Sequence, residues 1–413
     1  MRSFGRMKNN TDFLKIEQPA DCTGFYELKT FDTLIVSFCA DTPRGSTVEV
    51  EARIRLTDGR LTEWFSWGVW SPFADRHSKS SKGQLADLDT DTLTLHEGLL
   101  GCAVQIRVTE NEAPDTARPL LRRVVLAAKN SRIVCEEPSA ASDDVRVSAP
   151  CYSQMVRHPE ISHVICSATT IAMLLNQKGE NVLPEEIALH NYDSAYDGCG
   201  NWAFSTAIAA SYGYDAYVRY ATLDDLVEEL RRGNAVGVSV SYTNKPEDDT
   251  LPYIDGAPCR TPGHLIALCG FQTASNGKQY AIVHDPAAPE NDTVERFYPL
   301  EQFMEAWSNR VTYIVHKEEQ VNRPRYIPEH VSAVLRPAGN GLYALYTGNE
   351  QVTLVHQNRF DCVAAQLVQR KGEKDADGVF SYGEITPEGW IRGLKPNVPT
   401  FVITNRGVIY DCK

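Results

Sequence analysis

The stretch Val164-Ile165-Cys166-Ser167-Ala168-Thr169-Thr170-Ile171-Ala172-Met173-Leu174-Leu175 decides how this chain is read. Before it, apolar residues recur at every second position. Here the spacing becomes helical, with Ala168, Ile171, Ala172 and Leu175 on one stripe of a helix expected over Cys166–Gln177. The cysteine opens that helix. Unpaired backbone N–H groups and the positive end of the helix dipole lower the pKa of a thiol placed there. The same N–H groups can donate to a developing oxyanion. Downstream, PGHLIALCGF (262–271) begins an apolar strand with His264, and YAIVHDP (280–286) ends another with Asp285 before a proline that stops it. Nucleophilic attack by a thiol on an amide needs a thiolate, a proton carrier and a group that orients the carrier. Each residue alone is commonplace, and their joint occurrence in this order points to that chemistry.

Working outward, the spacing predicts helices over Pro184–His190, Trp202–Tyr212 and Leu223–Arg232, the last capped by Thr222. Strands are expected over Ala235–Tyr242, His264–Phe271, Tyr280–His284 and Val311–Val315, with one helix at Leu300–Trp307. Helices first and strands second make an α+β domain, not βαβ alternation. The first 140 residues read as a β-sandwich accessory domain. Thr33–Ala40, Ala103–Val108 and Arg123–Ala127 are apolar runs. Val48–Leu56 alternates cleanly, with Glu49, Glu51, Arg53 and Arg55 on the face opposite Val48, Val50, Ala52 and Ile54. Thr57–Arg60 follows as a turn of the Asp-Gly kind. Residues 136–150 (EEPSAASDDVRVSAP) have linker composition. From 325 to 413 short apolar runs at Leu342–Tyr346, Val352–His356, Val363–Val368 and Phe401–Thr404 suggest a small β-rich domain.

The composition is that of a globular protein, 42% apolar and 23% charged. A net charge of −13 argues against a nucleic-acid partner, which requires a basic face. No apolar run approaches the roughly 20 residues of a membrane span. The N-terminal residues are basic without an apolar stretch after them, so no secretory signal is expected and a cytoplasmic location follows; a secreted chain trimmed at its start would read the same. The 11 cysteines contain no Cys-x-x-Cys pair, and the odd number suits reduced thiols.

Residues 147–318 resemble the papain-like cysteine peptidases of the bacteriocin-processing-peptidase-like group. The resemblance rests on Cys151-Tyr152-Ser153-Gln154, Cys166, Gly263-His264 and His284-Asp285-Pro286, with further likeness at Gly200-Asn201-Trp202 and in 233–242 (GNAVGVSVSY). It implies a papain-like catalytic core within a multidomain α+β protein, flanked by the N-terminal β-sandwich and the small C-terminal β domain. It also implies Cys166 as nucleophile, His264 as general base and acid, Asp285 as the orienter of His264, and Gln154 as an oxyanion donor. Asn201 and Trp202 are the expected substrate-binding residues. The substrate is then a peptide or peptide-like amide, with no cofactor and no metal. The chain departs from the family in two places. Cys166-Ser167-Ala168 stands where the family has Cys-Gly-Pro, and His284 stands where it has asparagine.

Other readings are weaker. Cys199, in a turn, is an alternative thiol. Cys259, His264 and His284 lack the paired spacing of a zinc site. Asp87, Asp89 and Asp91 resemble a calcium loop but miss its glycine and final glutamate. The aromatic segment from Trp64 to Phe73 is either core or a platform for a carbohydrate or peptide ligand. It cannot put Trp64, Phe65, Trp67 and Trp70 all on one side of a regular strand. Two functional alternatives stay open at this level: acyl transfer on the same fold, and a non-catalytic binding protein using the aromatic sandwich.

Overall fold

The computed structural model describes residues 10–318, except 74–75, 135–137, 139 and 158–160, and beyond them the backbone of short strands between 331 and 411. Two antiparallel sheets occupy residues 11–129. One has six strands, in the order Thr11–Glu17, Leu120–Lys129, Thr33–Asp41, Thr92–Leu95, Ala86–Asp89 and Ser81–Lys82. The other has four: Cys22–Phe31, Gly101–Glu112, Ser46–Leu56 and Phe65–Trp70. Ser46–Leu56 alternates buried and half-buried residues along its whole length, as its period of two requires.

The aromatic segment shows how this core is filled. Phe65, Trp67 and Trp70 are all buried. In a regular strand, positions 67 and 70 would face opposite ways. The register slips here, since Glu49 pairs with Val69 while Glu51 pairs with Ser66. Gly68 sits in this bulge with φ of 102°, and the carbonyl of His77 fills the space a Cβ would need. The extra residue turns Trp70 back toward the core. Trp64 is half-buried beneath the guanidinium groups of Arg53 and Arg107. Most of the aromatic surface is thus core, and a carbohydrate platform on this segment finds no support.

The central region surrounds a seven-stranded antiparallel sheet. Six strands run in the order Tyr214–Tyr220, Val311–Lys317, Val236–Tyr242, Thr261–Thr273, Gln279–His284 and Glu295–Pro299. Val145–Arg146, in the stretch of linker composition, adds a seventh against Thr261–Thr273. Five α-helices occur among the described residues: α1 (Cys166–Gln177), α2 (Pro184–Asn191), α3 (Trp202–Ser211), α4 (Leu223–Arg231) and α5 (Leu300–Ala306). These bounds lie within a residue or so of the sequence expectation. α1 is more deeply enclosed than its single stripe implied, since every residue from Ser167 to Leu175 is buried. Its approach to the sheet depends on Gly237, where a Cβ would stand about 3.1 Å from both Thr170 and Tyr313. Thr170 Oγ1 then donates to the Leu265 carbonyl at 3.0 Å, tying the helix that begins at Cys166 to the strand that carries His264.

The hydrophobic cores of the N-terminal and central regions are continuous. Ser37 Oγ accepts from Val218 N at 3.0 Å, and Cys39 Sγ donates to the Ala216 carbonyl at 3.2 Å, so strand Thr33–Asp41 lies against Tyr214–Tyr220. Among the described cysteines, Cys39 and Cys269 are buried, Cys102 is half-buried and Cys22 is exposed. Beyond residue 330 a sheet runs in the order Val352–His356, Leu342–Thr347, Val331–Gly339, Phe401–Thr404 and Ile409–Asp411. The expected strand Val363–Val368 lies outside the described residues. No helix among the described residues is long and apolar enough to cross a membrane.

Candidate active site

Cys166 is the first residue of α1. Ile165 precedes it in the cap position, and no side chain caps this helix, whereas α3 and α4 are capped by Asn201 and Thr222. The first intrahelical bond runs from Thr169 N to Ile165 O at 2.8 Å. The N–H groups of residues 166–168 therefore have no intrahelical acceptor. Ser167, at the position of the family's glycine, turns away from the cleft. Its fully buried Oγ lies 2.7 Å from Ser205 Oγ and 2.9 Å from Tyr313 Oη. The departure at 167 thus adds no bulk beside the sulfur.

His264 enters from strand Thr261–Thr273, paired with Val240. Its Nε2 is 2.8 Å from Asp285 Oδ1, and both side chains are buried. With Nε2 taken by the carboxylate, the opposite edge of the ring faces Cys166. Burial pushes the Cys166 thiol up, but contact with His264, helped by the N–H groups of Leu265 and Ser167, outweighs it and leaves the thiol below its ordinary value. Burial likewise disfavours a charged His264, yet the Asp285 charge and hydrogen bond, with the Cys166 contact, hold its pKa well above the usual imidazole range. Both shifts act in the direction that favours a thiolate beside an imidazolium.

Asp285 closes strand Gln279–His284, and its own N–H donates to Val294 O at 2.9 Å. Its carboxylate has a full set of donors. Oδ1 accepts from His264 and from Ala287 N at 2.9 Å. Oδ2 accepts from Tyr242 Oη at 2.7 Å and Tyr298 Oη at 2.6 Å. Burial raises the carboxyl's pKa, but His264 and the two phenols bring it below the ordinary value. The tyrosines escaped sequence reasoning because each reads as an ordinary sheet aromatic. Tyr242 also packs its ring edge-on to His264, centroids 5.9 Å apart.

Gln154 lines the same cleft of about 570 Å³ as Cys166 and His264. Its N–H donates to Pro286 O at 2.8 Å, which links it to the Asp285 segment. Its Nε2 donates to Ser162 O at 2.6 Å, so one of its two amide protons is engaged. His163, Cys259 and Arg260 also reach this cleft. The expected substrate-binding pair, Asn201 and Trp202, stands at the N-terminus of α3. Asn201 is buried, with Oδ1 accepting from Phe204 N at 3.1 Å and Nδ2 donating to Asp193 Oδ2 at 2.9 Å. Trp202 is half-buried, and its N–H donates to Asp91 Oδ2 at 2.5 Å. Neither lines the cleft that holds Cys166.

The rival assignments separate cleanly. Cys199 is buried and its thiol is pushed up to about 12 by burial, the reverse of a reactive thiol. His284 faces the other side of its strand, with Nδ1 3.0 Å from Pro150 O and Nε2 3.5 Å from Glu295 Oε2, and burial lowers its pKa. It is no competitor to His264 and cannot join Cys259 and His264 in a metal site. Asp91, from the resembled calcium loop, is committed to the N-terminus of α3.

No curated protein matches the chain. Two family models do. Residues 24–129 match the Peptidase C39 N-terminal domain, and residues 147–315 match the Peptidase_C39 like family. The second match suggests a cysteine peptidase and, with it, a peptide substrate. The central part of this chain therefore belongs to the Peptidase_C39 like family, the group its motifs resemble.

Proposed function

We propose that the chain hydrolyses a peptide or peptide-like amide through Cys166, His264 and Asp285. One observation carries this reading: His264 is bonded to a buried carboxylate on one edge and faces the thiol at the open end of α1 on the other. The Cys166 thiolate attacks the carbonyl carbon, forming an S–C bond and an oxyanion. The N–H of Cys166 and the second amide proton of Gln154 donate to that oxygen. As the C–N bond breaks, His264 passes its proton to the leaving amine. Water then attacks the thioester with His264 as base, the S–C bond breaks, and the acid leaves with the thiolate restored. In this reading residues 1–140 form an accessory β-sandwich, 147–318 the papain-like catalytic domain and 325–413 a separate small β domain.

Incubating the full chain with a peptide library, followed by detection of new termini, tests the activity. Alkylation by iodoacetamide tests the nucleophile. Labelling should fall on Cys166, persist well below pH 8 and abolish cleavage. Absence of cleavage, or labelling that rises only as an ordinary thiol ionises, overturns the proposal.

The two phenols on Asp285 give a second expected result. Tyr242→Phe or Tyr298→Phe removes one donor to Oδ2, a bond to a charged group whose loss should lower kcat about tenfold. The lost donor had helped hold the carboxyl pKa down, so the Asp285 carboxyl should titrate at higher pH in each variant, followed by NMR or infrared titration. An unmoved carboxyl would mean that the phenols serve packing alone.

A further inference from the structure

The chain carries a net charge of −13, yet among the described residues no aspartate or glutamate lines the cleft that holds Cys166. Apart from two thiols, the ionisable side chains lining it are His163, Arg260 and His264, all of them basic. Two carboxylates touch this set from outside the cleft. Asp285 is buried against His264, and Asp248 is bonded to Arg260. A cleft lined by one sign of charge concentrates ligands of the other sign.

Arg260 is held in place on this wall. It immediately precedes strand Thr261–Thr273, four residues before His264. Thr261 pairs with Tyr242 across the sheet, and its Oγ1 donates to Gly263 O at 2.9 Å, which fixes the backbone between Arg260 and the imidazole. The guanidinium is pinned along one edge. Nε donates to Asp248 Oδ2 at 2.7 Å, and Nη2 donates to Thr250 Oγ1 at 2.9 Å. Asp248 also accepts from Thr250 N at 3.1 Å, and its own N–H donates to Lys245 O at 3.1 Å, so the anchor is a closed turn. Nη1 has no partner among the described residues, and the side chain is 47% exposed. The edge formed by Nη1 and the second hydrogen of Nη2 is therefore open. Such an edge matches a planar carboxylate, two N–H groups to two oxygens. Asp248 orients the fork without filling it.

We propose that Arg260 is a specificity-determining residue of this cleft, selecting a peptide that presents a carboxylate near the scissile bond. The carboxylate belongs to an aspartate or glutamate side chain or to the chain end. This rests on the peptidase reading above and adds to it the class of peptide taken. His163, exposed on the segment before α1, lines the same cleft and brings no opposing charge. Because the guanidinium is partly in solvent, the preference should weaken as salt is added.

The test has two arms, both on the full chain. The first compares iodoacetate with iodoacetamide at low salt, with labelling of Cys166 read by mass spectrometry. These two reagents are nearly the same size and differ by a negative charge, and the readout is the ratio of their rates. Arg260→Gln should lower the iodoacetate-to-iodoacetamide ratio about threefold, the worth of one partly exposed ion pair, while Arg260→Lys keeps most of it. His264 is the same in all three proteins, so the difference reads position 260. The second arm identifies the cut sites in a peptide library prepared with free and with amidated C-termini. A bias toward Asp or Glu near the cut that is lost in Arg260→Gln identifies a side-chain carboxylate. Cuts that need the free terminus and weaken in Arg260→Gln identify the chain end. A ratio unmoved by Arg260→Gln, or cut sites that show neither dependence, overturns the proposal. Failure of the peptidase reading looks different: the library stays uncut, or iodoacetamide labels Cys166 only as an ordinary thiol ionises. The ratio alone then decides whether the cleft recognises a carboxylate.

Discussion

Cys166→Ala, His264→Ala and the double variant should all fall to the same residual turnover, about 10⁴-fold or more below wild type. The shared floor is the informative part. Independent contributions would multiply, and the double variant would then be far worse than either single one. The geometry argues against independence. The His264 contact is what outweighs the burial that pushes the Cys166 thiol up. Without the imidazole, only the N–H groups of Leu265 and Ser167 oppose that desolvation. The pKa of Cys166 must then rise, so under the proposed mechanism His264→Ala loses the nucleophile together with the proton carrier. Alkylation separates this from misfolding. In His264→Ala, labelling of Cys166 should be slow near pH 6 and recover at alkaline pH, where the thiol ionises unaided. Wild type should label well at both. A His264→Ala profile that overlays wild type would show that the thiolate does not depend on this histidine.

How much of this was legible beforehand depends on the kind of signal involved. The start of α1 could be read to the residue because its period changes abruptly at Cys166, and Ser46–Leu56 because its alternation is unbroken. Strand Tyr214–Tyr220 was missed. Its sequence YDAYVRY carries Asp215 and Arg219 inside a segment that is almost wholly buried. Those charges look like solvent-facing residues until their partners are known: Lys15 and Arg123 for Asp215, Asp225 for Arg219. Cys22–Phe31 was missed for a different reason. Its register against Gly101–Glu112 slips twice, which breaks the period that would have marked it. At the site, Cys166 and Asp285 were legible as residues at element boundaries, whereas His264 is the fourth residue of Thr261–Thr273 and not the start of its strand as expected. Tyr242 and Tyr298 were not legible, since only the fold reveals that both phenols converge on one carboxylate oxygen. Asn201 was expected to bind substrate, and the structure places it as the N-cap of α3, bonded to Asp193. An asparagine just before a helix is an N-cap by local rules alone, and that rule outranked the family likeness.

Arg122→Met should destabilise the folded chain by about 3–5 kcal/mol, the usual cost of breaking a buried ion pair from one side. Arg122 is 5% exposed and stands where the N-terminal and central regions meet. Its Nε donates to Asp41 Oδ1 at 3.0 Å, Nη1 to Glu318 Oε1 at 2.6 Å, and Nη2 to the Ala210 carbonyl near the end of α3 at 2.8 Å. A methionine fills most of the volume, so the loss reads the charge and its fork, not a cavity. Asp41 and the half-buried Glu318 would lose their shared cation at this interface. Arg123 gives only weak compensation, because its Nη1 is 3.8 Å from Glu318 and already paired with Asp215. Arg122→Lys should recover part of the loss, since an ammonium can meet one or two of the three acceptors but not all. The check is a denaturant midpoint for wild type and both variants, read together with the iodoacetamide rate at Cys166 in conditions where each is folded. If the ion pair joins the regions as its geometry suggests, stability should fall in the order wild type, lysine, methionine. A methionine variant as stable as wild type would mean that apolar packing between strands Thr33–Asp41 and Tyr214–Tyr220 holds the regions together by itself.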